Sequence, residues 1–406
     1  MLRLFLYEIA LEVFNEITMK KTLRIIGIFG LLFLLSCSKN KEVKDGREIT
    51  DAIGRKVMIP KTVNKIIGVN AGALRMLTYV ATEMVVGVEQ VEIKQGIAPY
   101  NYLNPELHKL TPIGPRFGGD AELIMKANPD VVFTTFSTSV DADALQKKLG
   151  IPVISITNPE FAAEKNKWFE NIKIIANVVN KPERAENLIQ FIEKNIQELQ
   201  QRTSAIQQDK RPSVYIGGVS ARGAHGITST RSYYPPFMFV NAFNIASTLE
   251  NNYRPKTTEE SPKENSKQPN KENAKGKGGR SSMGNTTFID QEKLLQWNPD
   301  ILFLDAGGFE MIKKEMDPAK PLVKNLKAVQ NNQMYSVHPY NAYSTNYEMI
   351  LANAWYIAKC LYPEEFKEVN ITQKLQEILK AYYRKDVEVK QFEKYFRKID
   401  KTEFGQ

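Results

Sequence analysis

The sequence predicts an α/β protein built from two similar lobes, and three observations point there. The first is an internal echo: residues 120–133 return as residues 290–303, an offset of 170. Six of the fourteen positions are identical, namely Asp120/Asp290, Glu122/Glu292, Asn128/Asn298, Pro129/Pro299, Asp130/Asp300 and Phe133/Phe303. Each copy reads as a short helix, a proline stop and then a buried strand, because proline cannot continue a helix and Val131-Val132-Phe133 suits a strand covered on both faces. The second observation is the alternation of strand-like and helix-like runs, the signature of a parallel sheet. The third is a helical periodicity after Pro182, carried by Ala185, Leu188, Ile189, Ile192, Ile196 and Leu199. The offset is too long for a solenoid repeat. Two lobes make a cleft, and a cleft is a common ligand site.

The chain of 406 residues has room for two or three domains. Residues 1–36 read as a signal peptide, with Met19 as an alternative start. Lys20, Lys21 and Arg24 precede an apolar run from Ile25 to Leu35, too short for a comfortable membrane span. Residues 37–47 read as a flexible tether. The N-terminal lobe is placed at 48–180. It opens with a hairpin around Gly54, then the strand Lys65 to Val69, a helix from about Leu74, the strand Val85 to Val88, the first repeat copy, and a strand around Ile151 to Ile156. The helical segment is placed at 181–206, with Pro182 in its first turn. Its length of about 33 Å at 1.5 Å per residue suits either an element crossing a domain or an ordinary surface helix. The C-terminal lobe is placed at 207–406. It starts at Ser213 to Gly218, holds the second repeat copy, and ends in the strand Met334 to Val337, a tyrosine-rich loop and helices. Residues 251–285 are almost devoid of apolar side chains and read as a disordered insertion.

The net charge of +9 is spread along the chain. It fits a solvated basic surface or attraction to anionic ligands and lipid headgroups, and no nucleic-acid signature accompanies it. Of the two cysteines, Cys360 reads as a small core residue, so no disulfide framework exists. Catalytic motifs are missing. Gly218-Val219-Ser220-Ala221-Arg222 lacks the closing glycine of a nucleophile elbow, and His108, His225 and His338 have no metal-site spacing. His225 and His338 both follow second-lobe strands and remain candidates to converge.

Ligands of open α/β sheets bind beyond the carboxyl ends of the strands. The loops expected there carry Arg75, Arg116, Arg222, His225, Tyr234, Tyr340 and Tyr343. Arginine pairs anions bidentately, and tyrosine offers a stacking face with a polar tip. These seven are the candidate ligand contacts, for a bulky anionic or aromatic ligand.

Leu34-Leu35-Ser36-Cys37 resembles a bacterial lipobox, which implies cleavage before Cys37 and lipid on its thiol. With Thr50-Asp51-Ala52-Ile53-Gly54-Arg55, the paired Asn-Pro-Asp blocks, Leu149-Gly150-Ile151-Pro152-Val153 and the long helix, the chain resembles the iron-siderophore/cobalamin type of ABC-importer substrate-binding protein over about residues 48–366. The resemblance implies two Rossmann-like lobes with parallel-type sheets, joined by one long α-helix, with the ligand cleft between the lobes. It implies a monomeric, non-enzymatic lipoprotein on the outer side of the membrane. Such a protein captures a metal chelate, in the first instance a ferric siderophore with haem or cobalamin as alternatives, and delivers it to a permease dimer with its ATPase. No metal is bound by the protein directly, and lipid is the only covalent group. Glu122 and Glu292 align with the acids that dock the family to its permease, while helix-start acids with a purely structural role are the plainer account. Three rivals remain: direct Zn or Mn capture, disfavoured by the scarcity of histidines; an envelope α/β enzyme; and an interaction protein using the insertion.

Overall fold

The computed structural model describes residues 45–70, 72–94, 98–135, 138–220, 223–249, 286–317, 319–341, 343–396 and 400–402. The signal segment, Cys37, Arg222 and the insertion 251–285 lie outside them. Strands β1 (Gly46–Thr50) and β2 (Lys56–Pro60) pair antiparallel. Asp51 in their turn accepts from the backbone N–H of Ile53, Arg55 and Ser155 and from the Arg55 guanidinium. The Thr50-to-Arg55 motif therefore serves the architecture by pinning the hairpin to the edge of the first sheet.

That sheet comprises β3 (Ile66–Val69), β4 (Val85–Val88), β5 (Thr111–Pro112), β6 (Val131–Thr134) and β7 (Val153–Ser155), all parallel in the order β5-β4-β3-β6-β7. The second sheet follows β8 (Ser213–Gly217). A short ribbon pairs β9 (Ser229–Thr230) with β11 (Thr287–Phe288), while β10 (Phe243–Asn244), β12 (Ile301–Asp305) and β13 (Met334–Val337) join β8 in the parallel order β10-β8-β12-β13. Every residue of β3, β6 and β12 is buried, as expected for strands covered on both faces.

The repeat proves to be a helix-to-strand joint used once per lobe. Asp120 caps the helix Ala121–Ala127 by accepting from the N–H of Glu122 and Leu123, and Asp290 caps Gln291–Trp297 through Lys293. Asn128 and Asn298 end those helices in left-handed backbone, at φ 52° and 42°. Asp130 then accepts from the N–H of Asn64 and Lys65 at the start of β3, and Asp300 from the N–H and hydroxyl of Ser213 at the start of β8. Each aspartate locks the incoming strand beside its partner.

The long helix spans Pro182–Ser204 and buries the predicted apolar stripe together with Asn195 and Thr203. An arginine stakes each end. Arg184 donates to the carbonyls of Tyr79, Ala381 and Tyr382, and Arg202 donates to the Glu365 carbonyl and pairs with Glu198 and Glu368. Mid-helix, Asn195 accepts from the Trp355 indole at 2.9 Å.

The chain end joins both of the expected lobes. The helices Ile371–Tyr383 and Val389–Tyr395, assigned to the C-terminal lobe, meet His338 of that lobe through Phe392 and Phe396 and pack on side chains of the N-terminal lobe as well. Tyr79 meets the rings of Tyr382 and Tyr383 at 5.0 and 5.6 Å, Tyr102 meets Phe392, Tyr395 and Phe396, and Lys385 bonds Leu103, Asn104 and Glu106. Apolar burial rather than chain order decides this: one continuous core runs from β3 and the helix Ala73–Ala81 through the long helix to Phe392. Cys360, expected in the core, is half-buried at its margin on the helix Tyr347–Leu361.

Candidate functional site

The carboxyl ends of both sheets face a common seam, and the loops leaving them supply its side chains. Glu89, immediately after β4 and 3% exposed, is the organiser on the first-lobe side. One of its oxygens accepts from the N–H of Asn70 and Gly118, and the other accepts from the Tyr343 hydroxyl of the second lobe at 3.0 Å. The Arg116 guanidinium lies over the Phe117 ring at 4.2 Å and the Tyr343 ring at 4.3 Å. Phe117 remains 59% exposed. Asn70, Phe117, Tyr343 and Ser344 all hold positive φ, between 50° and 71°. Such backbone costs free energy outside glycine and concentrates at functional sites.

Arg75, expected on the ligand face, is instead enclosed at 1% exposure. Its guanidinium crosses from the helix Ala73–Ala81 to the second lobe, donating to the carbonyls of Tyr343 at 2.5 Å and Thr345 at 3.1 Å, and it stacks on Tyr100. Beside it Tyr100 donates to both oxygens of Glu92, whose carboxyl burial pushes up to about 7. Gly72 lies against Asn158 and Ser344 so closely that a Cβ would sit 3.0 Å from the Ser344 hydroxyl. The lobes are thus in contact along this part of the seam.

On the second-lobe side, Tyr340 is 2% exposed, and its hydroxyl accepts from Arg231 at 2.9 Å. Tyr234, also expected to face the ligand, is fully buried with its ring 5.6 Å from Tyr340. Both rings pack into the core because the segment Pro235–Phe239 folds as a helix over Phe303. Asp305 ends β12, and its loop meets those after β8 and β13 at Gly307, against Ser220 and Pro339.

The two second-lobe histidines do not converge. His225 meets the Phe288 ring edge-on at 4.9 Å. His338 is buried, with Nδ1 at 2.8 Å from the Phe396 carbonyl, and burial pushes its imidazole down to about 4. Among the described residues no group of three His, Cys, Asp or Glu is placed to hold a metal. Glu122 and Glu292 are both exposed in the first turns of their helices. A groove of about 440 Å³ runs along the long helix, but none of Arg116, Phe117, Tyr343 and Arg231 lines it.

Reasoning from sequence overlooked Glu89, Glu92 and Arg231. Glu89 directly follows a buried strand, and the strand-end rule applied to β4 would have selected it. Arg231 follows a two-residue strand, too short to leave a periodic signal.

An α/β scaffold with two parallel sheets, a connecting helix and a polar seam at the strand ends defines a solute-binding protein. The chain belongs to the periplasmic binding protein family, whose model matches residues 76–340. It is a substrate-binding protein of the ABC-importer type, acting at the cell envelope, and not an enzyme. It is 22% identical over 360 residues to the molybdate-binding protein MolA of Haemophilus influenzae, covering 83% of this chain and 91% of MolA. The structure of MolA bound to molybdate matches with a TM-score of 0.61 at 20% identity, over 84% of this chain and 99% of MolA. A periplasmic solute-binding protein from Veillonella parvula matches with a TM-score of 0.63 at 18% identity, over 86% and 96% of the two chains. Helicobacter pylori Ceue with Ni(II) bound matches at 0.55 and 17% identity, over 85% and 99%.

Proposed function

We propose that this protein captures an anionic metal species at the seam and delivers it to a membrane permease. The observation that carries the reading is the Arg116 guanidinium held over Phe117 and Tyr343, with Tyr343 fixed in turn by Glu89. Guanidinium and phenol donors gathered at the strand ends recognise negative charge. The close contact of the lobes at Gly72 and Arg75 favours a compact metal oxyanion, the class that the Haemophilus influenzae relative binds. An anionic ferric chelate, the siderophore class, is the second reading, favoured by the exposed face of Phe117 as a stacking platform. Titration with sodium molybdate and with ferric citrate separates the two. Arg116→Ala is expected to weaken the bound one by about 1.5–3 kcal/mol, the range for a charge-assisted hydrogen bond. Unchanged affinity for both would place recognition elsewhere.

Delivery is proposed to use the exposed acids Glu122 and Glu292, which occupy matched places on the two lobes and suit a two-fold receptor. The lipid on Cys37 would keep the protein at the membrane. In reconstituted vesicles, Glu122→Ala with Glu292→Ala is expected to retain ligand affinity while transport falls, and Cys37→Ala is expected to leave the protein in the soluble fraction. Normal transport by the double variant removes the docking role, and unchanged fractionation removes the anchor.

A further inference from the structure

Near the carboxyl end of the second sheet two buried, opposite charges do not pair with each other. Arg231 is 3% exposed and Asp305 is 0% exposed. Arg231 donates through Nη1 to Tyr340, and its Nε has no partner among the described residues. Asp305 accepts from the Gly307 N–H at 2.8 Å through Oδ1, and its Oδ2 has no partner among the described residues. No hydrogen bond joins them, although the Arg231 charge is felt by the Asp305 carboxyl. Buried polar groups left this way are costly, and a protein retains them where something else completes them.

We propose that Arg231 and Asp305 together receive one oxygen of the anionic cargo, Arg231 donating from Nε and Asp305 donating as the protonated acid, so that binding takes up one proton from solvent. The inference rests on the anionic-cargo reading above. No bond is made or broken beyond the proton that moves from water to Asp305 Oδ2. A carboxylate there would repel the anion, whereas the neutral acid supplies an O–H donor beside the guanidinium.

The surroundings favour that protonation. Burial pushes the Asp305 carboxyl up to about 7, against the opposing pull of the Gly307 N–H and of Arg231. The titratable groups facing it are Tyr234 and Tyr340, both phenols held neutral by burial. From the first lobe Glu160 faces Arg231 and Tyr340, and burial raises its carboxyl as well. An incoming anion adds negative charge and raises Asp305 further. Affinity is then flat well below pH 7 and falls about tenfold per pH unit above it, because one proton must be bound with the ligand.

Calorimetric titration of the native protein with sodium molybdate, and with ferric citrate in parallel, in buffers of different ionisation heat tests this. The expected result is uptake of about one proton per ligand at pH 8. Asp305→Asn, whose amide still donates, should bind with no uptake and a flat pH profile. Arg231→Gln removes the charge that holds Asp305 down, so it should bind more weakly and take up less than one proton at pH 8. That second variant decides the matter if Asp305→Asn does not fold. Binding to the native protein without proton uptake, or full uptake retained by Asp305→Asn, overturns this assignment and leaves the cargo reading standing. Failure of both probes to bind overturns the cargo reading and this assignment with it.

Discussion

Arg75→Ala is expected to destabilise the protein by about 3–5 kcal/mol, the cost of breaking a buried charge interaction by removing one partner. The side chain is fully enclosed and spans the lobes, so its loss strands the carbonyls of Tyr343 and Thr345. It also withdraws the positive charge that opposes the burial-raised carboxyl of Glu348. A second consequence separates this residue from an ordinary core position. With the Arg75 contact gone, the seam is held by Glu89 to Tyr343, Tyr347 to Pro159 and the C-terminal helices. Chemical denaturation gives the stability change, and small-angle scattering with and without ligand gives the opening. The native protein should show nearly overlaying profiles, because the long helix is staked at both ends and bending it disturbs its hydrogen-bond ladder. A loss under about 1 kcal/mol would show that Arg75 sits in the seam without holding it.

Trp168→Ala is expected to cost a similar amount, about 3–5 kcal/mol, through an entirely apolar route. Trp168 is 0% exposed and stands at the crossing of both lobes. Its ring meets Tyr79 at 6.1 Å, Phe161 at 5.4 Å, Phe169 at 5.9 Å, Tyr347 at 5.3 Å and Tyr382 at 6.2 Å. Tyr347 belongs to the second-lobe helix and Tyr382 to the C-terminal one, so the cavity would open where three parts of the chain meet. Trp168→Phe, which keeps most of the volume, should recover more than half of the loss as read by the denaturation midpoint. If the alanine variant unfolds at the native midpoint, the ring cluster is not what joins the lobes.

The sequence by itself determined the local grammar of this protein. The repeated Asp, Asn and Pro at 120–130 and 290–300 specified a capped helix, a left-handed stop and a strand start, because each residue acts on backbone groups a few positions away. The alternation of elements specified two parallel sheets, and the apolar stripe specified the long helix, since these signals repeat within a window of a few turns. The loops at the strand ends were legible for the same reason, and Arg116 and Tyr343, from loops of the two lobes, meet at 4.3 Å.

Only the tertiary structure decided which of those side chains turn outward. Arg75 lies in the helix Ala73–Ala81 and Tyr234 just ahead of the helix Pro235–Phe239, and distant parts of the chain enclose both; no local pattern encodes the packing of a neighbour far along the chain. Glu89 reads as a surface acid until the N–H groups of Asn70 and Gly118 and the hydroxyl of Tyr343 are brought to it from positions up to 254 residues away. Arg231 and Asp305 acquire their meaning only when burial removes water from both and leaves them without a bond between them. The C-terminal helices fasten to the first lobe as well as to the second because the apolar faces around Tyr79 and Tyr102 are covered there. Burial of area has no memory of chain order, whereas hydrogen bonding of neighbouring peptides does.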